Sequence, residues 1–313
     1  MPFSYRDETQ ELNEFTRKEA SGSFIRLSDG FTHYELSDPD PHPPSAPSPI
    51  FELQKTGEGW GGGRDVVLVH GFSVPHFIYD PTFEFLTQSG FRVLRYDLFG
   101  RGFSDRPDTR YNIDLFVRQL GDLLDALRFT RPVSLVGLST GGPITATFTA
   151  RFPERVDKLV LIDPVGAKPF ALARVLKVAA MPVLGEAIIS LVGREGMAKN
   201  IASDLADPAF AQQYQSRYIL QMRYKGFRRA ILSTIRNNML GSCLDVYERV
   251  GKMDKPVLLF WGRNDAAVPF KHSKLLQAAM PDMQFHAFED CGHLPHYEKA
   301  EEVNPILLQF LKS

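Results

Sequence analysis

Residues 137–141, with the sequence Gly-Leu-Ser-Thr-Gly, have the clearest capacity for chemistry in this chain. A short apolar run precedes them, which is typical of a strand buried on both faces, and Pro143 follows at a position that the first turn of a helix tolerates. Gly-x-Ser-x-Gly between a strand and a helix is typical of a nucleophile elbow, a tight turn that exposes the serine hydroxyl above a sheet. So short a pattern also occurs in ordinary glycine-rich turns. Ser139 is therefore a candidate nucleophile whose assignment depends on the rest of the chain.

A serine hydroxyl is a weak nucleophile, so it needs a general base, and the base needs an acid that orients it. With this elbow, the expected order along the chain is serine, acid, histidine. His293 follows the last predicted strand, and open α/β sheets place their sites at the carboxyl ends of strands. His293 is therefore the candidate base. His296 is the rival, and its alternative interpretation is a surface residue in the first turn of a helix.

Three aspartates could orient the base. Asp265 follows a predicted strand in the sequence Trp-Gly-Arg-Asn-Asp at 261–265, and it is the preferred candidate. Asp163 follows the strand after the elbow and is the alternative. Asp290 is close to His293 in sequence, but the chain would have to turn back sharply to bring their side chains together.

Acyl transfer also needs hydrogen-bond donors for the oxyanion that forms during the reaction. With this elbow, one donor is the backbone N–H of the residue after the nucleophile, here Thr140, and another comes from the loop after an earlier strand. The His-Gly-Phe sequence at 70–72 lies in such a loop, so the N–H of Phe72 is the second candidate donor. For the His70 side chain, a structural role is favoured over a catalytic one.

The elements that must position these residues alternate along the chain. Apolar runs predict strands at 66–69, 91–97, 133–136, 156–163, 256–262 and 284–288, with a hairpin over 24–36 and a further edge strand over 51–54. Apolar residues at helical spacing predict a helix over 112–128, and helices are also expected near 80–90, 144–150, 270–279 and 307–311. Asp80 is the predicted N-cap of the helix near 80–90. The alternation predicts an α/β fold with a mainly parallel central sheet flanked by helices.

The alternation stops after Pro164, and residues 166–250 have a helical pattern throughout. The simplest organisation is a core of residues 1–165 and 251–313 with a helical insertion at 166–250. The insertion contains a basic run that predicts a solvated helix face, with an anionic substrate or a membrane surface as the alternative partner. Its members are Arg217, Arg223, Lys225, Arg228, Arg229 and Arg236.

Composition excludes several classes of protein. A formal net charge of −1 over 313 residues gives no electrostatic footprint for nucleic acid. Two cysteines, Cys243 and Cys291, make no disulfide framework, so a reduced, cytoplasmic protein is expected. Residues 1–20 have no apolar signal-peptide core. The most apolar stretch, residues 171–192, contains charged residues and a proline, which argues against a transmembrane span.

Together, these motifs resemble the α/β-hydrolase fold superfamily. They are His-Gly-Phe at 70–72, Asp-Leu-Phe-Gly-Arg-Gly-Phe-Ser at 97–104, the elbow at 137–141, Trp-Gly-Arg-Asn-Asp at 261–265 and Gly-His at 292–293. The resemblance covers roughly residues 22–165 and 251–313, and it is strongest to capped bacterial carboxylesterases, monoacylglycerol lipases and carbon–carbon-bond hydrolases. Epoxide hydrolases and haloalkane dehalogenases of this fold place an aspartate at the elbow, so Ser139 argues against both chemistries.

The resemblance implies a serine hydrolase that cleaves carboxylic esters of small to medium apolar acyl or aryl groups through an acyl-enzyme. Its partners would be the ester and water, with no cofactor and no metal. The first alternative is a carbon–carbon bond hydrolase of the meta-cleavage-product type, and the second is an inactive scaffold that acts as a ligand-binding module. The insertion resembles a helical cap over the active site. Its apolar part, residues 170–192, is expected to line an acyl or aryl pocket or simply to pack on the core.

Overall fold

The computed structural model describes residues 5–37, 65–169, 181–202 and 208–313, and within them an eight-stranded sheet forms the centre of the molecule. The strand order is β1-β2-β4-β3-β5-β6-β7-β8. The first two strands pair antiparallel with each other and with β4, and every pair from β4 to β8 is parallel. The strands are β1 (Ser23–Leu27), β2 (Gly30–Leu36), β3 (Asp65–Val69), β4 (Arg92–Tyr96), β5 (Val133–Leu138), β6 (Val156–Ile162), β7 (Val257–Gly262) and β8 (Gln284–Phe288). The predicted α/β fold with a mainly parallel sheet is confirmed.

Helices cover both faces of this sheet. They are α1 (Glu14–Glu19), α2 (Asp80–Gln88), α3 (Ile113–Ala126), α4 (Gly141–Arg151), α5 (Leu184–Ala202), α6 (Pro208–Gln221), α7 (Phe227–Arg236), α8 (Leu244–Val250), α9 (Ser273–Ala279), α10 (Pro295–Glu298) and α11 (Ala300–Lys312). Because side chains alternate along a strand, Val67 and Val69 pack with α3, α4, α8 and α9 on one face, whereas Val66 and Leu68 pack with α2 and α11 on the other. Burial on both faces explains why these strands read as continuous apolar runs.

Most of the predicted elements are present within a few residues of their expected bounds. The hairpin joins β1 to β2 with Ser28 and Asp29 in the turn, and the long amphipathic helix is α3, whose N-cap Asn112 accepts a hydrogen bond from the Leu115 N–H at 3.0 Å. The prediction of Asp80 as an N-cap is wrong, because Asp80 is the first residue inside α2. Its carboxylate instead binds Arg95 on β4 and Arg217 on α6. The predicted edge strand over 51–54 lies outside the described residues.

The described part of the insertion contains the helices α5 to α8 and no strand. We propose that these helices form a cap on a core made by the rest of the chain, with α8 as an exception. The last of these helices, α8, packs against α4 and α9, so it lies on the core rather than over it. None of the helices in the described residues combines the length and the apolarity needed to cross a membrane.

The basic run of the cap forms the predicted solvated face only in part, because Arg223 and Lys225 are exposed whereas Arg228 is buried. The Arg228 side chain is 1 % exposed, and its two terminal nitrogens donate to the two carboxylate oxygens of Asp7 at 2.6 Å. The neighbouring Glu8 accepts from the backbone N–H groups of Gly226 and Arg228. Four other members of the run also pair with acids: Arg217 with Asp80, Lys225 with Glu11, Arg229 with Asp108 and Arg236 with Glu186. The contacts of Asp7, Glu8 and Glu11 bind the N-terminal arm, residues 5–13, to the cap.

A buried ionic cluster supports the junction between the first strands and the site. The Asp97 carboxylate accepts from His33 Nδ1 and His76 Nδ1, each at 2.8 Å, and from the N–H groups of His76 and Phe103. Burial disfavours the imidazolium of His76, but Asp97 and Glu35 outweigh that effect and raise the pKa of His76 to about 9. Residues 97–104 therefore have a structural role here, at the end of β4 beside the site.

This cluster predicts a specific pH dependence of stability. Because the pKa of His76 is about 9 in the folded protein and about 6.5 in an unfolded chain, its charge contributes stability below about pH 6.5, and that contribution is lost as the pH rises towards 9. The shift corresponds to roughly 3 kcal/mol at most. In urea unfolding, His76→Gln should cost most at pH 6 and progressively less at pH 7.5 and 9. A cost that does not change with pH would show that His76 is uncharged in the folded protein.

Candidate active site

Ser139 lies in the turn between β5 and α4, as the elbow motif predicts. Its φ of +52° is in the left-handed region that non-glycine residues rarely occupy. The backbone is fixed on both sides: the Ser139 N–H donates to the carbonyl of Ile162 at 2.9 Å, and its carbonyl accepts from the N–H of Val165 at 3.1 Å. The strained residue is therefore held by the end of β6.

Glycines bring the neighbouring loops into contact with this turn. A Cβ atom on Gly141 would lie 2.2 Å from the carbonyl oxygen of Val69, so α4 can begin this close to β3 only with glycine there. A Cβ atom on Gly71 would lie 3.1 Å from Cβ of Ser139. The loop after β3, which contains Phe72, therefore lies directly beside the serine.

The structure brings Asp265 and His293 together. Their loops follow β7 and β8 and are joined by the hydrogen bond from the Asn264 N–H to the carbonyl of Cys291. His293 Nδ1 lies 2.7 Å from Asp265 Oδ2, and Asp265 Oδ1 accepts from the N–H groups of Ala267 and Val268 at 2.8 and 2.7 Å. Because a carboxylate only accepts, this contact places the proton of a neutral imidazole on Nδ1 and leaves Nε2 as the basic nitrogen.

The rival residues occupy different environments. Asp290 is exposed, whereas Asp163 is fully buried and accepts from the N–H of Gly262 at 3.0 Å. The interpretation of His296 as a surface residue is wrong, because it is fully buried and its ring lies 4.8 Å from that of Tyr79. Burial, together with the neighbouring His293, lowers the pKa of His296 to about 3, so its imidazole is neutral. The four-residue helix α10 is too short for a periodic pattern to have indicated this burial.

The loop that carries Phe72 is held by three buried side chains. His70 Nδ1 donates to the carbonyl of Gly71 at 2.9 Å, and its Nε2 accepts from the N–H of Leu98. In a trans peptide the C=O and N–H groups point in opposite directions, so this bond aims the Phe72 N–H away from His70. Burial lowers the pKa of His70 to about 4, which keeps the imidazole neutral and this arrangement intact. His70 thus has a structural role.

Two further side chains, which the sequence motifs did not single out, connect the same loop to the cap. Arg101 donates to the carbonyl of Phe72 at 2.8 Å and to the hydroxyl of Thr234 on α7 at 2.8 Å. Gln221, at the end of α6, donates to the carbonyl of Ser73. No periodicity or charge pairing in the sequence indicates that Arg101 is buried and held by carbonyl and hydroxyl oxygens. Its position inside the predicted motif at 97–104 was the available signal.

The other candidate donor, Thr140, is the N-cap of α4. The first N–H groups of a helix have no partner within the helix, and they lie at the positive end of its dipole. The N–H groups near Thr140 and the Phe72 loop therefore flank Ser139 from two sides. Such an arrangement suits an anion that develops next to the serine.

Two groups of side chains in the described residues have the composition of a metal site: His33, His76 and Asp97, and Asp163, Asp265 and His293. Within each group the nitrogen–oxygen contacts of 2.7 to 2.8 Å have the length of charge-assisted hydrogen bonds. Both groups are therefore clusters whose members are joined by hydrogen bonds between imidazole and carboxylate.

With this fold and geometry, the chain belongs to the alpha/beta hydrolase fold family, whose model matches residues 65–300. The protein is thus a hydrolase of that family. It is similar to a Pseudomonas putida enzyme named 2-hydroxy-6-oxononadienedioate/2-hydroxy-6-oxononatrienedioate hydrolase 1. The alignment, 317 residues long with its gaps, has 28 % identity and covers 96 % of this chain and 99 % of the relative.

Solved structures share the fold. A meta-cleavage product hydrolase from Pseudomonas fluorescens IP01 superimposes with a TM-score of 0.72 and 23 % identity, covering 93 % of this chain and 97 % of that one. An esterase from Exiguobacterium antarcticum also gives a TM-score of 0.72, with 20 % identity over 93 % of this chain and 100 % of that one. At these identities the likeness concerns the fold, which both chemistries use.

The tight contact at Gly141 gives a stability prediction. Gly141→Ala should lower the free energy of unfolding by about 2 kcal/mol or more, because the new methyl group meets a backbone carbonyl that cannot move freely. Gly121→Ala in α3 is the matched control, since its Cβ would meet only Phe148 at an ordinary 3.6 Å. Alanine is also the better helix former, so the control should be neutral or stabilising. Equal costs for the two variants in urea unfolding would contradict the proposed contact.

Proposed function

We propose that the protein is a serine hydrolase in which Ser139 is the nucleophile, His293 the general base and Asp265 the acid that orients the base. The observation that carries this proposal is the buried Asp265–His293 hydrogen bond at the same edge of the sheet as the Ser139 turn. The order Ser, Asp, His along the chain is the order expected for this elbow.

In the proposed mechanism, Ser139 Oγ attacks the acyl carbonyl while His293 Nε2 takes its proton. The negative charge then develops on the carbonyl oxygen, which accepts from the N–H groups of Phe72 and Thr140. Asp265 keeps the imidazole in the required tautomer and stabilises the imidazolium. His293 next protonates the leaving alcohol, and the acyl-enzyme remains. A water molecule activated by His293 attacks that ester and releases the acid.

We propose a carboxylic ester of a small to medium apolar acyl or aryl group as the substrate. One apolar cluster joins Leu138, beside the nucleophile, to Phe77 and to Ile189, Tyr214 and Tyr218 of the cap. Four arginines of the cap already pair with carboxylates of the chain, namely Arg217, Arg228, Arg229 and Arg236. These pairs favour a neutral substrate over an anionic one. Of the segment expected to line the pocket, residues 170–192, the part at 170–180 lies outside the described residues.

Hydrolysis of a carbon–carbon bond is the second candidate, and the name of the Pseudomonas putida relative favours it. The same serine, histidine and oxyanion donors would serve a vinylogous diketone. A dienoate of that kind carries a carboxylate, which needs a cationic partner in the site. We rank this candidate behind ester hydrolysis, because the cap arginines named above already pair with carboxylates.

Labelling of the serine tests the catalytic assignment. A fluorophosphonate should modify the wild-type protein, and Ser139→Ala should abolish labelling, whereas Ser273→Ala, a buried serine on α9, should retain it. Ester turnover should fall at least about 10³-fold in Ser139→Ala and His293→Ala, and less in Asp265→Asn. An unlabelled wild-type protein would instead support the ligand-binding scaffold. Full activity in Asp265→Asn with loss in Asp163→Asn would reverse the assignment of the acid.

A substrate panel separates the two chemistries. We expect p-nitrophenyl esters of short to medium acyl chains to be turned over faster than a ring-cleavage dienoate, measured as kcat/KM at one pH. The comparison uses the same preparation, with Ser139→Ala as the background for both substrates. Negligible ester turnover with rapid dienoate turnover would place the carbon–carbon hydrolase first.

A further inference from the structure

Asp163 is a second buried carboxyl group beside the proposed base, and the mechanism above gives it no task. It follows β6 directly, is 0 % exposed and has a φ of +41°. Its N–H donates to the carbonyl of Phe260, and its Oδ1 accepts from the N–H of Gly262. Ile162, directly before it, and Val165, two residues after it, make the backbone hydrogen bonds that hold Ser139. Its position is therefore fixed by the elbow itself.

Two acidic residues, Asp265 and Glu298, lie close enough to Asp163 to act on its ionisation. A carboxylate oxygen of Asp163, one of Asp265 and a ring nitrogen of His293 all lie within 4.8 Å of one another. No N–H or O–H group in the described residues donates to Asp163 Oδ2. An ionised oxygen without a donor is costly in a buried site, and a second anion beside it adds to that cost.

Electrostatics act in the same direction. Burial raises the pKa of Asp163 well above its usual range, and the charges of Asp265 and, more weakly, Glu298 add to this effect. The buried thiol of Cys291 adds no charge, because burial also raises its pKa. The N–H of Gly262 favours the ionised form but is outweighed.

We propose that Asp163 is a positioning residue that carries a proton and donates it in a hydrogen bond to the carboxylate of Asp265, an inference that rests on the serine hydrolase proposed above. The pair then holds a single negative charge behind His293. Asp265 is restrained from three sides: by the N–H groups of Ala267 and Val268, by His293 and by the Asp163 hydroxyl.

A single charge matters for the base. Two ionised carboxylates would hold the imidazole of His293 protonated to a higher pH, and a protonated imidazole cannot accept the serine proton. One carboxylate stabilises the imidazolium that forms during turnover and favours protonation of the resting imidazole less than two carboxylates would. Asp163 thus acts through Asp265 and does not contact the reacting atoms.

Two substitutions at position 163 test whether Asp163 is protonated or ionised. Asp163→Asn keeps a neutral donor and an acceptor for the Gly262 N–H, and asparagine tolerates the left-handed backbone. Asp163→Ala removes both groups. We expect Asp163→Ala to lower kcat by about 10- to 100-fold, by analogy with other partners of functional side chains, and Asp163→Asn to restore most of that loss. Asp290→Ala is the control for backbone strain, because Asp290 is exposed and has a similar φ of +48°.

The pH profile provides the decisive kinetic measurement. If Asp163 is neutral in the wild-type enzyme, replacing it with a neutral amide should leave the acid limb of the kcat/KM profile within about 0.3 pH unit of its position. If Asp163 is ionised, Asp163→Asn removes a negative charge next to His293 and should move that limb to lower pH by about one unit or more. The second outcome would overturn the proposal.

Infrared spectroscopy tests the proton without reference to turnover. At pH 7 the wild-type protein should show the C=O stretch of a buried carboxylic acid, and Asp163→Asn should lack it. Absence of this band from the wild type would refute the proposal even in an active enzyme. If Asp163→Asn removes the band but fluorophosphonate does not label the wild-type protein, Asp163 carries the proton and the proposed serine hydrolase function is wrong.

Discussion

The left-handed backbone of Ser139 is the constraint on which the rest of the site depends. A non-glycine residue with φ near +52° is unfavourable unless its surroundings hold it there. The carbonyl of Ile162 and the N–H of Val165 do so on one side, and the absence of a side chain at Gly141 allows β3 to approach on the other. The same contacts set the positions of Phe72 and Asp163. The proposed nucleophile, a proposed oxyanion donor and the second carboxyl group are thus arranged by one packed turn.

The cap is attached to this turn by polar groups that are themselves buried. Arg101 and Gln221 fix the carbonyls of Phe72 and Ser73, so the loop that contains the proposed oxyanion donor depends on helices α6 and α7. Arg228 and Glu8 tie the N-terminal arm to the start of α7. Breaking one partner of a buried pair leaves an uncompensated charge, so these contacts favour one fixed arrangement of the cap over many. Buried polar contacts therefore link helices α6 and α7 both to the loop that contains Phe72 and to the N-terminal arm.

Features that depend on local pattern were predictable from the sequence, and features that depend on distant partners were not. The buried strands show as apolar runs, and the elbow shows as glycines at fixed spacing around Ser139. The burial of Arg228 was not predictable, since its partner Asp7 lies at the other end of the chain. A run of basic residues has the same sequence pattern whether its side chains are solvated or pair with acidic residues of the N-terminal arm. Similarly, the sequence made Asp163 and Asp265 alternative candidates for the acid that orients the base, whereas the fold places them side by side.

Because Asp163 and Asp265 lie close together, each can have its own role, one as the ionised carboxylate and the other as the protonated carboxyl group. Asp265 has backbone donors for one oxygen and His293 for the other, so its ionised form is satisfied. Asp163 has a backbone donor for one oxygen only. The carboxyl group with fewer donors is the one that keeps the proton, because a proton supplies the hydrogen bond that the protein does not. In this proposal, the number of N–H groups around each oxygen, rather than the order of the two residues in the chain, decides which aspartate orients the proposed base.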